Sequence, residues 1–407
     1  MKRLSLFAIF IFSCLIANAQ EYSGVSKTHK IDSKVFESER EIRVFVPFSY
    51  TENNTQKYPS IYLFDGQFDA FFDMTSGTMD YMSQMGELNE YIIIGIKTTY
   101  RSREFTPMYA DERTKKDWGD TEIGQAQLLE DHLEKEVFPL VENNYRVEPF
   151  KLAIGHSLGG TFVLNALLSR PDFFQAVIAI SPNLSYDYEQ IVTRFDNYFK
   201  SNASMKKFIY MSAGTIGSME NRFRSSAEKL DRVIKYHNPK ELMYYYTVMD
   251  GENHSTTPLF TISKGFQEMA KIWTISEDKK KTLIDDASQP FVKDLKLFYN
   301  NLSEWANYKV LPSINEINSF GYDCLALDKT DEALKVFNWA IELYPDDANI
   351  YDSKAEALAK SGDMKQAKVF YKKAIDVLEK TKSNYDSENY EYYKDMFNKN
   401  LNALDKS

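Results

Sequence analysis

Gly155-His156-Ser157-Leu158-Gly159-Gly160 decides how this chain is read. The stretch fits G-x-S-x-G and stands between a short apolar run at residues 151–154 and a helix-compatible stretch at residues 161–168. Chance alone produces the bare pattern with odds of roughly one in twenty in a chain of this composition, so its weight comes from that setting. A strand that turns sharply into a helix leaves no room for a Cβ beside the turn, which is why glycines flank the serine. The hydroxyl then stands exposed above the sheet edge, and the first N–H groups of the helix, at its positive dipole end, face any negative charge that develops there. Ser157 is thus the candidate nucleophile and the Leu158 N–H a candidate oxyanion donor.

Outward from this turn the chain alternates strand and helix patterns. Residues 41–47 alternate as a strand does, 58–64 and 91–96 are nearly uniform apolar runs, and 176–180, 208–212 and 242–249 read as further strands. Apolar residues at helical spacing mark 125–141, 161–168 and 225–236. This rhythm predicts an α/β architecture with a mostly parallel central sheet covered on both faces.

A serine hydroxyl needs a base, and the expected order along such a chain is serine, acid, histidine. Only His237 and His254 follow Ser157. His237 precedes the 242–249 strand and belongs at the far edge of the sheet, whereas His254 follows that strand and shares the carboxyl edge with Ser157. His254 is the candidate base. His156 is expected to pack and hydrogen-bond within the turn, bordering the substrate, and not to serve as a second base. For the acid, Glu220 is the one carboxylate within reach after the 208–212 strand; Asp250, or a bare serine–histidine pair, stays open beside it. Helix capping by Glu220 is the competing role.

A second oxyanion donor belongs in the loop after the 58–64 strand, where Phe64-Asp65-Gly66-Gln67-Phe68 points to the Gln67 N–H, with Gly66 permitting close approach to the substrate. Phe68, Phe71, Phe72 and Met74 form an apolar stripe that suits either core or an acyl pocket.

These residues resemble the esterase branch of the α/β-hydrolases, which includes ferric-siderophore, feruloyl and acetyl-xylan esterases and S-formylglutathione hydrolase. The likeness runs from about residue 27 to 275 and rests on the Leu63-Phe64-Asp65-Gly66 strand and loop, the segment from Arg101 to Pro107, the Ser157 turn and the Asn253-His254-Ser255 loop. Siderophore-esterase-like members carry an Arg-x-Arg-Asp-Phe-Thr-Pro-like stretch beside the site, and here Glu104 stands where Asp is usual. The resemblance implies an α/β-hydrolase fold and carboxylic ester hydrolysis with no metal or organic cofactor. It also implies that Arg101 and Arg103 face the substrate, since a guanidinium pairs with carboxylate or stacks on an aromatic acyl group.

The chain of 407 residues carries 49 Lys+Arg against 59 Asp+Glu, a formal charge of −10 that argues against a general nucleic-acid binder. Lys2 and Arg3, the apolar run from Leu4 to Ile16 and Ala17-Asn18-Ala19 have the layout of a cleaved secretory leader at residues 1–19, too short for a membrane anchor. Export to the periplasm or medium follows, with lipidation of Cys14 the lesser alternative. No later stretch is apolar enough to span a membrane. Loss of Cys14 leaves Cys324 as the single thiol, so no internal disulfide is possible.

Residues 20–275 form the expected esterase domain and 276–306 a linker with a leading helix, the linker character resting on the charged stretch 276–281. From residue 307 to 407 a period of 34 relates Ala333 to Ala367, Phe337 to Tyr371 and Ala340 to Ala374, with Gly321 and Ala355 at small-residue positions and Pro345 at a repeat end. This is similar to a pair of tetratricopeptide repeats, a surface that suits a protein or peptide partner. The sequence therefore predicts an exported serine esterase with a helical-repeat extension. An inert hydrolase-fold scaffold acting through its repeats, or a thioesterase or peptidase with the same residues, are the alternatives.

Overall fold

The computed structural model describes residues 24–52, 55–286 and 288–404, so the expected leader and Cys14 lie outside the described residues. Eight strands form one sheet: β1 (Val25–Ser33), β2 (Ser38–Val46), β3 (Tyr58–Phe64), β4 (Ile92–Ile96), β5 (Val147–His156), β6 (Ala176–Ile180), β7 (Ser204–Ile216) and β8 (Lys240–Asn253). Their spatial order is β1-β2-β4-β3-β5-β6-β7-β8. β2 runs antiparallel to both neighbours, and all pairs from β4 through β8 are parallel. The strands from β3 to β8 therefore end on one edge.

Side-chain alternation divides the core between two faces of the sheet. Leu152, Ile154, Ile178 and Phe208 face the helices Asp69–Gln84 and Thr257–Trp273, while Ala153, Val177, Ala179 and Ile209 face Leu158–Ser169, Gln190–Ser201 and Ser218–His237. The uniformly apolar β3, β4 and β6 are buried along their whole length, as strands covered on both faces must be.

Beyond Ile275 the chain is helical. Residues 276–281, expected as a linker, belong instead to the helix Glu277–Asp285, which Ser276 caps through the Lys279 N–H. Its charge reflects one solvated helix face, yet Lys280 is buried and pairs with Asp323 at 2.9 Å. The helix Phe291–Ala306 brings Trp305 against Phe150 of β5 (ring centroids 5.1 Å apart) and against Trp273 (5.8 Å). One hydrophobic core thus continues from the sheet through Trp305 to Phe320, Val336 and Ile350.

The 34-residue period is visible in the helices themselves: Ile314–Ala326 and Thr330–Leu343 are followed by Ala348–Lys360 and Met364–Lys380, each starting 34 residues after its counterpart. Gly321 is small because a Cβ there would lie 2.3 Å from the Phe337 ring. A last helix, Ser387–Leu404, packs Tyr390 and Phe397 against Ala374 and Val377. No helix among the described residues is long and apolar enough to cross a membrane.

Candidate active site

Ser157 sits between β5 and the helix Leu158–Ser169 with φ 61° and ψ −118°. A serine seldom adopts this conformation, and the sheet holds it there: the Ser157 N–H donates to the Ile180 carbonyl (2.9 Å), and its own carbonyl accepts from Asn183 N–H (3.1 Å). Gly155 has no alternative, since a Cβ would lie 2.2 Å from the Gly159 carbonyl oxygen. Gly159 itself has ordinary room, its nearest neighbour being Asp65 Oδ2 at 3.5 Å.

His254 lies in the turn after β8, and its Nδ1 is 2.7 Å from Glu220 Oε2. Glu220, in the first turn of Ser218–His237, is 1% exposed. Its Oε1 accepts from Ser181 Oγ (2.7 Å) and from the Gly214 N–H (2.5 Å). Burial by itself would raise the Glu220 carboxyl, but the hydrogen bonds from His254, Gly214 and Ser181 outweigh it and hold the group below its ordinary value. Ionised Glu220 can only accept, so His254 Nδ1 carries the proton and Nε2 is left as the free lone pair. Of the two carboxylates left open by sequence, Glu220 is the one in contact with His254. Asp250 is exposed and meets Thr215 Oγ1 at 3.3 Å. His237 is at the far end of its helix, paired with Asp196 at 2.7 Å.

The imidazole of His254 is flanked by the edge-on Phe223 ring (5.2 Å) and by His156 (4.4 Å, planes inclined 34°). Burial, then the neighbouring His254, pushes the His156 imidazole down to about 3, so it stays neutral through the working pH range.

At the end of β3, Asp65 is buried with φ 68°. Arg101 grips it with two bonds, Nε at 2.5 Å and Nη2 at 2.8 Å, leaving Nη1 outside the pair. Gln67 donates to Asp65 Oδ1 (2.8 Å) and accepts from the Thr98 N–H (3.1 Å), so the loop is tied to the segment after β4. Gly66 is also required by β4, since a Cβ there would collide with the Gly95 backbone at 2.6 Å. Neither the Gln67 N–H nor the Leu158 N–H donates to a backbone carbonyl among the described residues.

Arg103 does not join this group. It pairs with Glu122 at 3.0 Å and lies over the Tyr100 ring. Glu104, at the position where the resemblance has Asp, is buried and takes both Arg40 amino groups and the Thr99 and Tyr100 N–H groups; it is a structural anchor.

A cleft of about 520 Å³ opens beside these residues, lined by Asp65, Phe68, Phe71, Met74, His156 and Leu259. The apolar stripe therefore splits, with Phe72 fully buried in the core while Phe68, Phe71 and Met74 face the cleft. Sequence reasoning missed Ser181 and Thr257, whose hydroxyls lie 2.9 Å apart beneath Glu220. Ser181 stands just past the 176–180 strand and Thr257 opens a helix the sequence analysis did not single out, so neither had a pattern of its own. The Asp65 contact with Arg101 was likewise hidden, although both residues fell in stretches singled out.

The family model described as "Putative esterase" matches residues 33–275. The chain belongs to this esterase family. Among curated proteins it is 26% identical over 248 residues to the ferri-bacillibactin esterase BesA of Bacillus subtilis, covering 56% of this chain and 84% of that one. It is 26% identical over 166 residues to the apo-salmochelin esterase of Escherichia coli, covering 38% and 51%. The crystal structure of an IroE-like serine hydrolase from Shewanella oneidensis superimposes with TM-score 0.63 at 21% identity, over 78% of this chain and all of the other. An uncharacterised protein from Capnocytophaga ochracea matches with TM-score 0.71 at 17% identity, over 94% of this chain and all of the other, so the helical extension recurs with the hydrolase fold. The protein is a carboxylic ester hydrolase of the α/β-hydrolase class.

Proposed function

We propose that this protein is an exported serine esterase in which Ser157, His254 and Glu220 form the catalytic triad and the substrate is a siderophore-type ester. The observation that carries the triad is the 2.7 Å contact between His254 Nδ1 and a buried, ionised Glu220, made on the same sheet edge as Ser157. The lone pair on Nε2 takes the Ser157 proton as Oγ bonds to the ester carbonyl carbon. The carbonyl oxygen, now negative, accepts from the Leu158 and Gln67 N–H groups. Collapse breaks the bond to the alcohol oxygen, which leaves with the proton from Nε2, and an acyl-serine remains. Water then gives a proton to Nε2 and its oxygen to the acyl carbon, and the same proton returns to Ser157 Oγ as the acid departs.

Siderophore esters are favoured over acyl sugars by two named relatives and by the cleft, whose Phe68, Phe71 and Met74 offer apolar contact. The helices after residue 307 would be a tetratricopeptide-like pair open to a peptide or protein partner. The helix Phe291–Ala306 that leads into them packs Trp305 against Phe150, near the start of β5 and so away from the Ser157 end of that strand.

The test is hydrolysis of a p-nitrophenyl ester and of siderophore lactones by the mature chain, with Ser157→Ala and His254→Ala beside it. A burst of product blocked by an organophosphonate is expected, with turnover reduced by several orders of magnitude in both variants. Wild-type rates in either variant would overturn the mechanism, and activity on acetyl sugars alone would overturn the substrate.

A further inference from the structure

Nucleophile and base, Ser157 and His254, reach this site on segments far apart in the chain, and both must be held to within a fraction of an ångström for proton transfer. The link between them is a side chain that the reaction itself does not use. His156 ends β5, paired in register with Ile180 of β6, and is bonded in sequence to Ser157. Its Nε2 lies 2.9 Å from the backbone carbonyl oxygen of His254. A carbonyl can only accept, so Nε2 carries a proton and donates. The same carbonyl has Thr257 Oγ1 at 3.2 Å, and the turn around it is closed by Asn253, whose Oδ1 accepts the Ser255 and Thr256 N–H groups.

We propose that His156 is a positioning residue: its Nε2–H fixes the His254 main chain to the end of the nucleophile strand, while its ring backs the His254 imidazole. The inference rests on the triad reading above and adds to it a residue that sets the distance between nucleophile and base.

The alternatives for His156 are weaker on the same geometry. A second base would need a basic lone pair; Nε2 is committed to the His254 carbonyl, and burial followed by the neighbouring His254 leaves the remaining Nδ1 lone pair only weakly basic. The groups facing it are Phe71, Arg101, Glu220 and His254 itself. With burial first, then the neighbouring His254 and the Arg101 cation, opposing a positive charge, the ring remains a neutral donor. A neutral neighbour at 4.4 Å also adds no repulsion when His254 becomes cationic during the reaction. Glu220 fixes the ring of His254 through Nδ1, and His156 fixes the peptide that carries it, so the two restraints are independent.

Two substitutions separate the hydrogen bond from the ring. His156→Gln places an amide N–H near the position of Nε2 without the ring, and His156→Phe keeps a ring without the donor. The expected result is a 10- to 100-fold loss of kcat at nearly unchanged KM in His156→Phe, and recovery to within about fivefold of wild type in His156→Gln. Melting temperature, read by circular dichroism, tells folding loss apart from misplacement. The acid limb of the kcat/KM profile should keep the slope of a single proton in all three proteins. Wild-type kcat in His156→Phe, or equal losses in the two variants, would overturn the positioning role. A slope of two protons in the wild type would overturn the neutral-donor assignment. Ser157→Ala is run in parallel: full activity there would defeat the triad reading itself, whereas an inactive Ser157→Ala beside an unimpaired His156→Phe would defeat this inference alone.

Discussion

Replacing Glu220 by glutamine changes one atom type at the base of the site, and the structure fixes which way the amide must lie. Two donors converge on Oε1, from Ser181 and Gly214, and one on Oε2, from His254. The single amide oxygen goes where two donors point, because the reverse orientation sets N–H groups against N–H and O–H, at about 1–3 kcal/mol for each unsatisfied buried group. The amide NH2 then faces His254 Nδ1, which can meet it only as an acceptor. The imidazole proton moves to Nε2, and His254 can no longer take the proton from Ser157. A fall in kcat of roughly 10²–10⁴ follows, about 2.7–5.5 kcal/mol in barrier. KM should hardly move, since Glu220 is buried and out of reach of a substrate. Steady-state hydrolysis of a p-nitrophenyl ester measures both parameters, and Asp250→Asn serves as the control, with no loss expected. Glu220→Gln with kcat within threefold of wild type, in a folded protein, would refute the reasoning; the same loss in Asp250→Asn would move the acid there.

Burial of Trp305 against Phe150 and Trp273 predicts that Trp305→Ala costs about 3–5 kcal/mol of stability while kcat of the folded enzyme stays within twofold, read by denaturant titration beside the ester assay. For the same reason a chain cut after Ile275, which leaves Phe150 and Trp273 facing water, is expected to lose its cooperative melting transition; a sharply melting, active fragment would show the helices to be dispensable. Phe71→Ala should raise KM for bulky apolar acyl esters about tenfold and leave acetyl esters within twofold, measured across an acyl series. Glu220 has a depressed carboxyl pKa, so it adds stability that is fully present above the ordinary glutamate range and is lost as pH falls through the folded value. The stability gap between wild type and Glu220→Gln should accordingly narrow below about pH 4.5, seen in melting temperatures across pH.

Local pattern settled much of this protein. The glycine-bounded Ser157 turn, the apolar runs of β3 and β6, and the 34-residue spacing of the last helices each follow from short-range rules of backbone geometry and periodicity, which a sequence displays directly. The position of His254 was legible for a topological reason, since of the two later histidines it alone follows a strand that must end on the same edge as Ser157. β1 was not, because an edge strand with Lys27, Thr28 and Lys30 turned to water has no apolar alternation to announce it. The charged stretch at residues 276–281 read as a linker because composition reports solvent exposure and does not report whether the other face of a helix is packed. Which carboxylate lies against His254, which of Arg101 and Arg103 pairs with Asp65, and which of the four apolar side chains after Gly66 line the cleft are visible only in three dimensions. Those questions turn on distances between loops that leave different strands, and such distances are set by the twist and register of the whole sheet, not by the order of residues in any one segment.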